Sequence, residues 1–280
     1  MYRIVRKEAL KPTVILYEIE APMVARKAEP GQFIILRVDE KGERIPITIH
    51  DYDREKGTVT IIVQTVGATT EKLSHKQQGE CLHDFVGPLG RPTETEGKKK
   101  VCVVGGGVGC AIAYPVLKKF HDCGAEVHAV VGFKSKDVVI LEDKFKAVSS
   151  VLKVCTDDGS YGQKGLVTEA LKELLDAGNV YDEIFAIGPM VMMKFVSKTT
   201  EPYGVPTTVS MSPIMIDGTG MCGGCRLTVG GETKFACVDG PDFDGHKVDW
   251  DLAVKRNQMY HDFEVHKHEE ACNLFQKEVM

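Results

Sequence analysis

The chain has 280 residues, 43% of them apolar and 27% charged, which is the composition of an ordinary folded protein with room for two domains and excludes a disordered or fibrous chain. Against 35 Lys and Arg stand 40 Asp and Glu, a net charge of −5 with no long basic block, so nucleic acid is not an expected partner. No apolar run approaches the ~20 residues of a membrane helix, and the start MYRIVRKEALKPTVILYEIEAP has no signal-peptide core. The expectation is a cytoplasmic protein without membrane association.

From residue 1 to about 98 the runs VILYEIEAP, GQFIILRV, RIPITIH, TVTIIVQTV and CLHDFVGPLG are β-rich and separated by Gly, Pro and charged turns. Short strands at this spacing, with no helical period, predict a closed antiparallel β-barrel. The polar EGKKK at 96–100 reads as a linker. From 99 to 210 the apolar runs KVCVVGGG, AEVHAVVGF, VLKVCTDDG, EIFAIGP and TTVSMSP alternate with helical stretches such as GCAIAYPVLKKFHDCG. A second such stretch places Leu166, Ala170, Leu171, Leu174 and Leu175 along one face. This alternation predicts an α/β doubly wound parallel sheet. A small Gly- and Cys-rich segment fills 211–250, and a polar tail at 251–280 is expected to end in a helix.

Gly105-Gly106-Gly107-Val108-Gly109 follows directly on the strand VCVV and opens a helix, where glycines let backbone N–H groups approach a phosphate. Cys110 stands where a strict G-x-G-x-x-G would have its last glycine, and Gly132-Phe133-Lys134 offers no acidic residue at the next strand end. A tight strand-to-helix turn explains that loop equally well by itself. Two more loops at strand C-ends favour a dinucleotide, Thr156-Asp157-Asp158-Gly159-Ser160 and Gly188-Pro189-Met190. In the barrel, Arg44-Ile45-Pro46-Ile47-Thr48 puts a cation and a hydroxyl on one strand. Gly67-Ala68-Thr69-Thr70 precedes a predicted helix start at Glu71. Such residues suit a flavin, and equally suit an ordinary strand and helix cap.

Of nine cysteines, Cys81, Cys102, Cys110, Cys123 and Cys155 are isolated and read as small hydrophobes or surface filler. The rest of the signal lies in DGTGMCGGCRLTVGGETKFACVDGP, where Asp217, Cys222, Cys225 and Cys237 follow the pattern D-x4-C-x2-C-x11-C. Plant-type [2Fe–2S] sites use C-x4-C-x2-C and a later Cys, so the register puts Asp217 in the first ligand position. A structural zinc on the three cysteines with Asp217, Asp239 or His246 is the alternative, although zinc prefers Cys and His sets. Asp217 could also form only an Asp-Gly turn, with Cys272 as the fourth ligand.

Taken together, APMVARKAEPGQF, ERIPITI, VGATTEKL, GPLGRP, VVGGGVGCAIAYP, TDDGSYGQKGLVT, AIGPMVMMKF, PIMIDGTGMCGGCR and FACVDGPDFDGHKVDWD resemble the electron-transfer subunits of dihydroorotate dehydrogenase, relatives of the ferredoxin reductases. They resemble still more the small subunits of NADH-dependent reduced ferredoxin:NADP+ oxidoreductase, in which an Asp takes the first cluster position. The resemblance implies an oxidoreductase subunit with FAD on the barrel, held by Arg44 to Thr48, by Val63-Gln64-Thr65 and by Thr69-Thr70. It implies NAD(H) near Gly105 to Cys110, Asp158 and Gly188 to Met190, and a [2Fe–2S] cluster on the C-terminal segment. Arg44 stands four residues before Thr48, where the wider reductase family places its Arg three before the hydroxyl. NAD rests on the resemblance, since Lys134 and Lys136 would tolerate a 2′-phosphate. The implied partner is a larger flavin and [4Fe–4S] subunit binding NADP(H), working with ferredoxin in electron bifurcation. Hydride transfer needs stacking rather than a side-chain acid or base, so no catalytic residue is expected. The rival readings are an NAD-linked dihydroorotate dehydrogenase subunit and a zinc-stabilised redox-sensing module.

Overall fold

The structure, a computed structural model, describes residues 1–278, with side-chain surroundings through Glu269. The first segment comprises β1 (Tyr2–Lys11), β2 (Val14–Glu20), α1 (Pro22–Ala25), β3 (Phe33–Arg37), β4 (Ile45–Thr48), β5 (Asp51–Asp53), β6 (Thr58–Gln64), α2 (Ala68–His75), β7 (Cys81–Leu82) and β8 (Asp84–Leu89). Its strands pair antiparallel in two sheets, β5-β6-β2-β1-β7 and β4-β3-β8. Strands that pass from one sheet to the other join both edges. β4 continues into β5 through Ile49 and His50, whose N–H groups donate to Gln32 O at 3.0 Å and Thr60 O at 2.9 Å. β7 runs into β8 through His83, whose N–H donates to Arg37 O at 3.1 Å. The predicted barrel is therefore closed by corners, around a core that includes Ile4, Tyr17, Ile34, Leu36, Ile61 and Phe85.

The next segment comprises β9 (Lys100–Gly106), α3 (Gly109–Asp122), β10 (Glu126–Phe133), α4 (Glu142–Val148), β11 (Val151–Thr156), β12 (Gln163–Lys164), α5 (Val167–Asp176), β13 (Glu183–Ile187), α6 (Met190–Thr200) and β14 (Thr207–Ser210). The sheet order is β12-β11-β10-β9-β13-β14-β17, parallel except for its last strand, β17 (Asp242–Asp244). Val101 to Val104 are fully buried because helices cover both faces. Val101 and Val103 share a core with Phe120 of α3 and Phe145 of α4. Cys102 and Val104 share another with Leu171 of α5 and Val196 of α6. The predicted apolar face of α5 is corrected at one position. Leu166 lies in extended backbone before the helix and is 58% exposed, and Val167 takes its place in the core.

The remainder contains a hairpin of β15 (Arg226–Val229) and β16 (Glu232–Phe235), then β17, α7 (Trp250–Asn257) and α8 (His261–Glu278). Trp250 is buried with Nε1 donating to Gly245 O at 2.9 Å, and α8 lies against α2, where His268 Nε2 is 4.0 Å from Glu71 Oε2. Packing crosses every segment. Phe33 and Ile35 of the barrel share a core with Cys225, Leu227 and Cys237, and Val14, Leu16 and Ile62 share one with α3.

A polar bond reinforces the junction: Thr93 Oγ1 donates to Asp242 Oδ2 at 2.5 Å. Burial pushes the Asp242 carboxyl up to about 6, against hydrogen bonds from Thr93 and Ser210 that favour its charge. A carboxyl with a raised folded pKa binds more protons folded than unfolded, so its contribution is present below about pH 4 and is lost as pH rises through about 6. Asp242→Asn is expected to flatten the fall in thermal stability between about pH 4 and 6, a fall worth up to about 3 kcal/mol over the whole transition at 1.36 kcal/mol per pKa unit. Identical pH profiles for the two proteins would contradict this.

Candidate functional site

The flavin-motif residues form a half-covered apolar strip. Ile45, Pro46, Ile47 and Thr48 of β4 are all only partly buried, although three of them are apolar and the neighbouring Phe33 to Leu36 of β3 are fully covered. Such a strip fits a flat aromatic group lying along it. Val63 and Gln64 end β6, and Thr65 continues its pairing through an N–H bond to Thr13 O at 2.8 Å. α2 starts at Ala68, three residues before the predicted Glu71, because Thr70 Oγ1 reaches back to accept from the N–H groups of Val66 and Gly67 at 3.0 Å each. Thr69 Oγ1 donates to Glu43 at 2.9 Å. Arg44 has a use that its position in the motif did not suggest. Its Nε donates to Ile216 O at 2.8 Å, with a terminal nitrogen 3.6 Å from Asp84. The guanidinium thus binds the residue just before Asp217.

Asp217, Cys222, Cys225 and Cys237 come together as two pairs. Asp217 Oδ1 is 3.3 Å from Cys222 Sγ, and Cys225 Sγ is 3.2 Å from Cys237 Sγ. Among the described residues, no group of three or more His, Cys, Asp or Glu converges as one ion would require. Two pairs would suit a two-iron cluster, whereas a single zinc needs all four donors around one point. The other candidate zinc ligands are engaged elsewhere: Asp239 Oδ2 accepts from Phe235 N at 2.7 Å, and His246 Nε2 lies 2.9 Å from Thr200 Oγ1. Cys272 falls outside the residues whose side chains are described.

The loop supplies what a cluster needs. Gly224 N–H donates to Cys222 Sγ at 3.5 Å and Cys237 N–H to Cys225 Sγ at 3.4 Å, the arrangement that stabilises charge on sulfur. Burial raises the Asp217 pKa, but hydrogen bonds from Thr219, the Cys222 thiol and the Cys222 N–H outweigh it and hold the carboxyl at about 2. Burial, and then the Cys225 thiol, push Cys237 up to about 12, so a bound cation is what would keep it a thiolate. Gly218 has φ +78°, and a Cβ there would lie 2.6 Å from Leu89 Cδ1. Only glycine lets this loop rest on the barrel, beside the strip of β4.

The nucleotide motifs lie where the sheet reverses. β9 has β10 on one side and β13 on the other, so the crevice at a topological switch point opens between the C-ends of β9 and β13. The loops there, Gly105 to Cys110 and Gly188 to Met190, touch: a Cβ on Gly109 would lie 2.7 Å from both Gly188 Cα and Ile187 O. Gly107, at φ +56°, faces open space and donates its N–H to Gly132 O at 2.8 Å. Cys110 is buried, which raises its thiol far above its ordinary range, so it packs and does not react. Asp158 ends up two strands away after β11, exposed and turned onto Ser160, whose N–H and hydroxyl donate to its Oδ1 at 2.9 and 2.6 Å. Among the described residues no helix is long and apolar enough to cross a membrane.

Residues 212–249 match the iron–sulfur cluster binding domain of dihydroorotate dehydrogenase B. A protein of Thermotoga maritima described as a dihydroorotate dehydrogenase B (NAD(+)) electron transfer subunit homolog is 48% identical, over 93% of this chain and 92% of its own. The electron transfer subunit of Desulforamulus reducens is 32% identical, over 86% of this chain and 94% of its own. The chain belongs to the family of dihydroorotate dehydrogenase B electron transfer subunits and their homologs. Within this family it is similar to a chain of the NADH-dependent reduced ferredoxin–NADP oxidoreductase, solved for insight into flavin-based electron bifurcation. That match has 46% identity and a TM-score of 0.91, covering 96% of this chain and 97% of that one. A ferredoxin reductase of carbazole 1,9a-dioxygenase, at 20% identity and a TM-score of 0.61, shares the fold. The chain is thus an oxidoreductase subunit with a ferredoxin-reductase-like body and a C-terminal iron–sulfur segment. Arg44 as a brace for that segment and Gly218 as its seat were not visible in the sequence, for their partners lie far along the chain.

Proposed function

We propose that this subunit passes electrons between NAD(H), FAD and a [2Fe–2S] cluster within an electron-bifurcating NADH-dependent ferredoxin:NADP+ oxidoreductase. The observation that carries the reading is the pairing of Asp217 with Cys222 and of Cys225 with Cys237, next to the strand that would hold the flavin. FAD, when bound, supplies the conversion between a two-electron hydride and single electrons. Everything else is positioning by the chain. Gly105 to Cys110 and Gly188 to Met190 would hold the nicotinamide nucleotide at the switch point, and Ile45 to Thr48 would support the flavin ring. Arg44, just before that strand, ties it to the cluster loop, so the flavin support and the cluster loop are held together.

Asp217 would replace a thiolate with a harder carboxylate on one iron and so tune its potential. Asp217→Cys is expected to keep the cluster and shift its potential, and an unchanged redox titration would remove Asp217 from the ligand set. Electrons would leave where the loop reaches the surface, at Cys222 and at Met221, which is 88% exposed. The acceptor there would be a larger flavin and [4Fe–4S] subunit that binds NADP(H). The complex, purified anaerobically, is expected to contain flavin and iron and to reduce NADP+ with NADH and reduced ferredoxin. Orotate-linked NADH oxidation without NADP+ reduction would instead assign the dihydroorotate role, and an iron-free, colourless complex would sink both readings.

A further inference from the structure

His50 is fully enclosed, 3% exposed, at the corner where β4 becomes β5, two residues beyond Thr48. Its Nδ1 is 2.6 Å from the carbonyl oxygen of Ala111, in the first turn of α3 directly after the glycine loop. A carbonyl only accepts, so Nδ1 carries the proton. Burial pushes the imidazole pKa down, with the Lys144 charge adding to this against Asp51 and the Ala111 bond. The ring is therefore neutral, and Nε2 is left as a buried lone pair with no partner among the described residues. Leaving such an atom unpaired costs free energy, so the ring is held here by what Nδ1 and its faces do.

Ala111 explains the need. In an α-helix its carbonyl would accept from the N–H four residues on, which is residue 115, and residue 115 is a proline inside α3 with no N–H. The helix opens an acceptor at its buried face, and a side chain of the barrel fills it. His50 also stacks on Tyr114, with centroids 5.7 Å apart and planes at 30°, and Tyr114 meets Phe145 of α4 edge-on. Ala111 and Pro115 thus form a socket and His50 the plug.

We propose that His50 is a positioning residue, which sets the glycine loop at the start of α3 in register with the flavin strand β4 by filling the carbonyl that Pro115 leaves open. The inference rests on the function proposed above. It concerns the geometry between the two sites, not contact with either cofactor. A small shift of one site against the other is enough to slow a hydride transfer between stacked rings.

The test uses the full-length holoprotein with His50→Phe, His50→Asn, Pro115→Ala and the His50→Phe/Pro115→Ala double variant. Phe keeps the ring stack and loses the donor; Asn places an amide N–H near the Nδ1 position. His50→Phe is expected to slow flavin reduction at saturating NADH by about 10-fold or more, with FAD content and reduction by dithionite unchanged. His50→Asn regains most of that rate. In thermal unfolding, His50→Phe lowers Tm by about 2–4 °C, and by less than half as much in the Pro115→Ala background, where residue 115 again donates to Ala111. Flavin reduction at the wild-type rate in His50→Phe, or equal Tm losses with and without Pro115→Ala, overturns the proposal. Should His50→Phe alone fail to accumulate, recovery of soluble double variant supports the socket, and failure of both overturns it. A wild-type flavin that NADH does not reduce refutes the proposed function instead, and the Tm cycle then decides this inference by itself.

Discussion

Cys225→Ser is expected to empty the iron site. The Cys225 and Cys237 sulfurs are both buried and 3.2 Å apart, so solvent has little access to this pair to replace a lost thiolate. Outer-shell changes already cost about 10–100-fold in metal affinity, and loss of a direct ligand from a buried pair should exceed that. Iron per chain should fall to near zero and the cluster's visible absorption should vanish, while the flavin spectrum persists and NADH still bleaches it. Delivery of electrons to the partner subunit should drop by more than about 100-fold. Cys222, being exposed, offers the contrast: Cys222→Ser should retain a labile fraction of iron, because water and Asp217 can complete the coordination. Full iron content in Cys225→Ser would show that the buried pair does not hold the cluster.

Gly109→Ala should uncouple the nicotinamide from everything downstream. The added Cβ would meet Gly188 Cα and Ile187 O, both backbone atoms, so two loops must part rather than one side chain rotate. Forced insertion of a methyl group into a packed site costs about 1–3 kcal/mol. Here that strain falls on the crevice between the C-ends of β9 and β13. NADH-dependent flavin reduction should fall by about 100-fold, a size that a displacement near 1 Å can produce, with FAD and iron contents unchanged. Gly106→Ala in the same loop should be milder, since there the methyl group would meet the flexible end of Met192 as well as Pro189. Equal rates for Gly109→Ala and wild type would move the nucleotide away from this crevice.

Much of this arrangement was written locally. Alternating apolar runs announced the barrel strands, and the strand-then-helix rhythm after residue 100 announced the doubly wound sheet. The register of Asp217, Cys222, Cys225 and Cys237 suggested a cluster before any geometry was seen, because ligand spacing in a tight loop is itself a local property. What escaped the sequence was non-local. CLHDFVGPLG reads as one strand, yet His83 divides it between two sheets, since only the closed barrel needs a corner there. Leu166 matches the helix face by spacing but sits one residue too early to join it. Arg44 suggested a flavin contact by its neighbours, and its carbonyl partner Ile216 lies 172 positions away. The same holds for His50, although Pro115 in an otherwise helical stretch was a visible sign that one carbonyl would need an outside donor.

The cores that run across the segments have a consequence for how the protein can fail or be rebuilt. Phe33 and Ile35 lie in one apolar mass with the cysteine hairpin, and Val14, Leu16 and Ile62 in another with α3. Among the described residues, no cut that separates the barrel from the sheet or from the cysteine hairpin leaves two pieces with complete interiors. Heating should therefore give one calorimetric peak instead of a staircase, and chimeras that graft the metal-binding portion from a relative will need the matching barrel face to come with it.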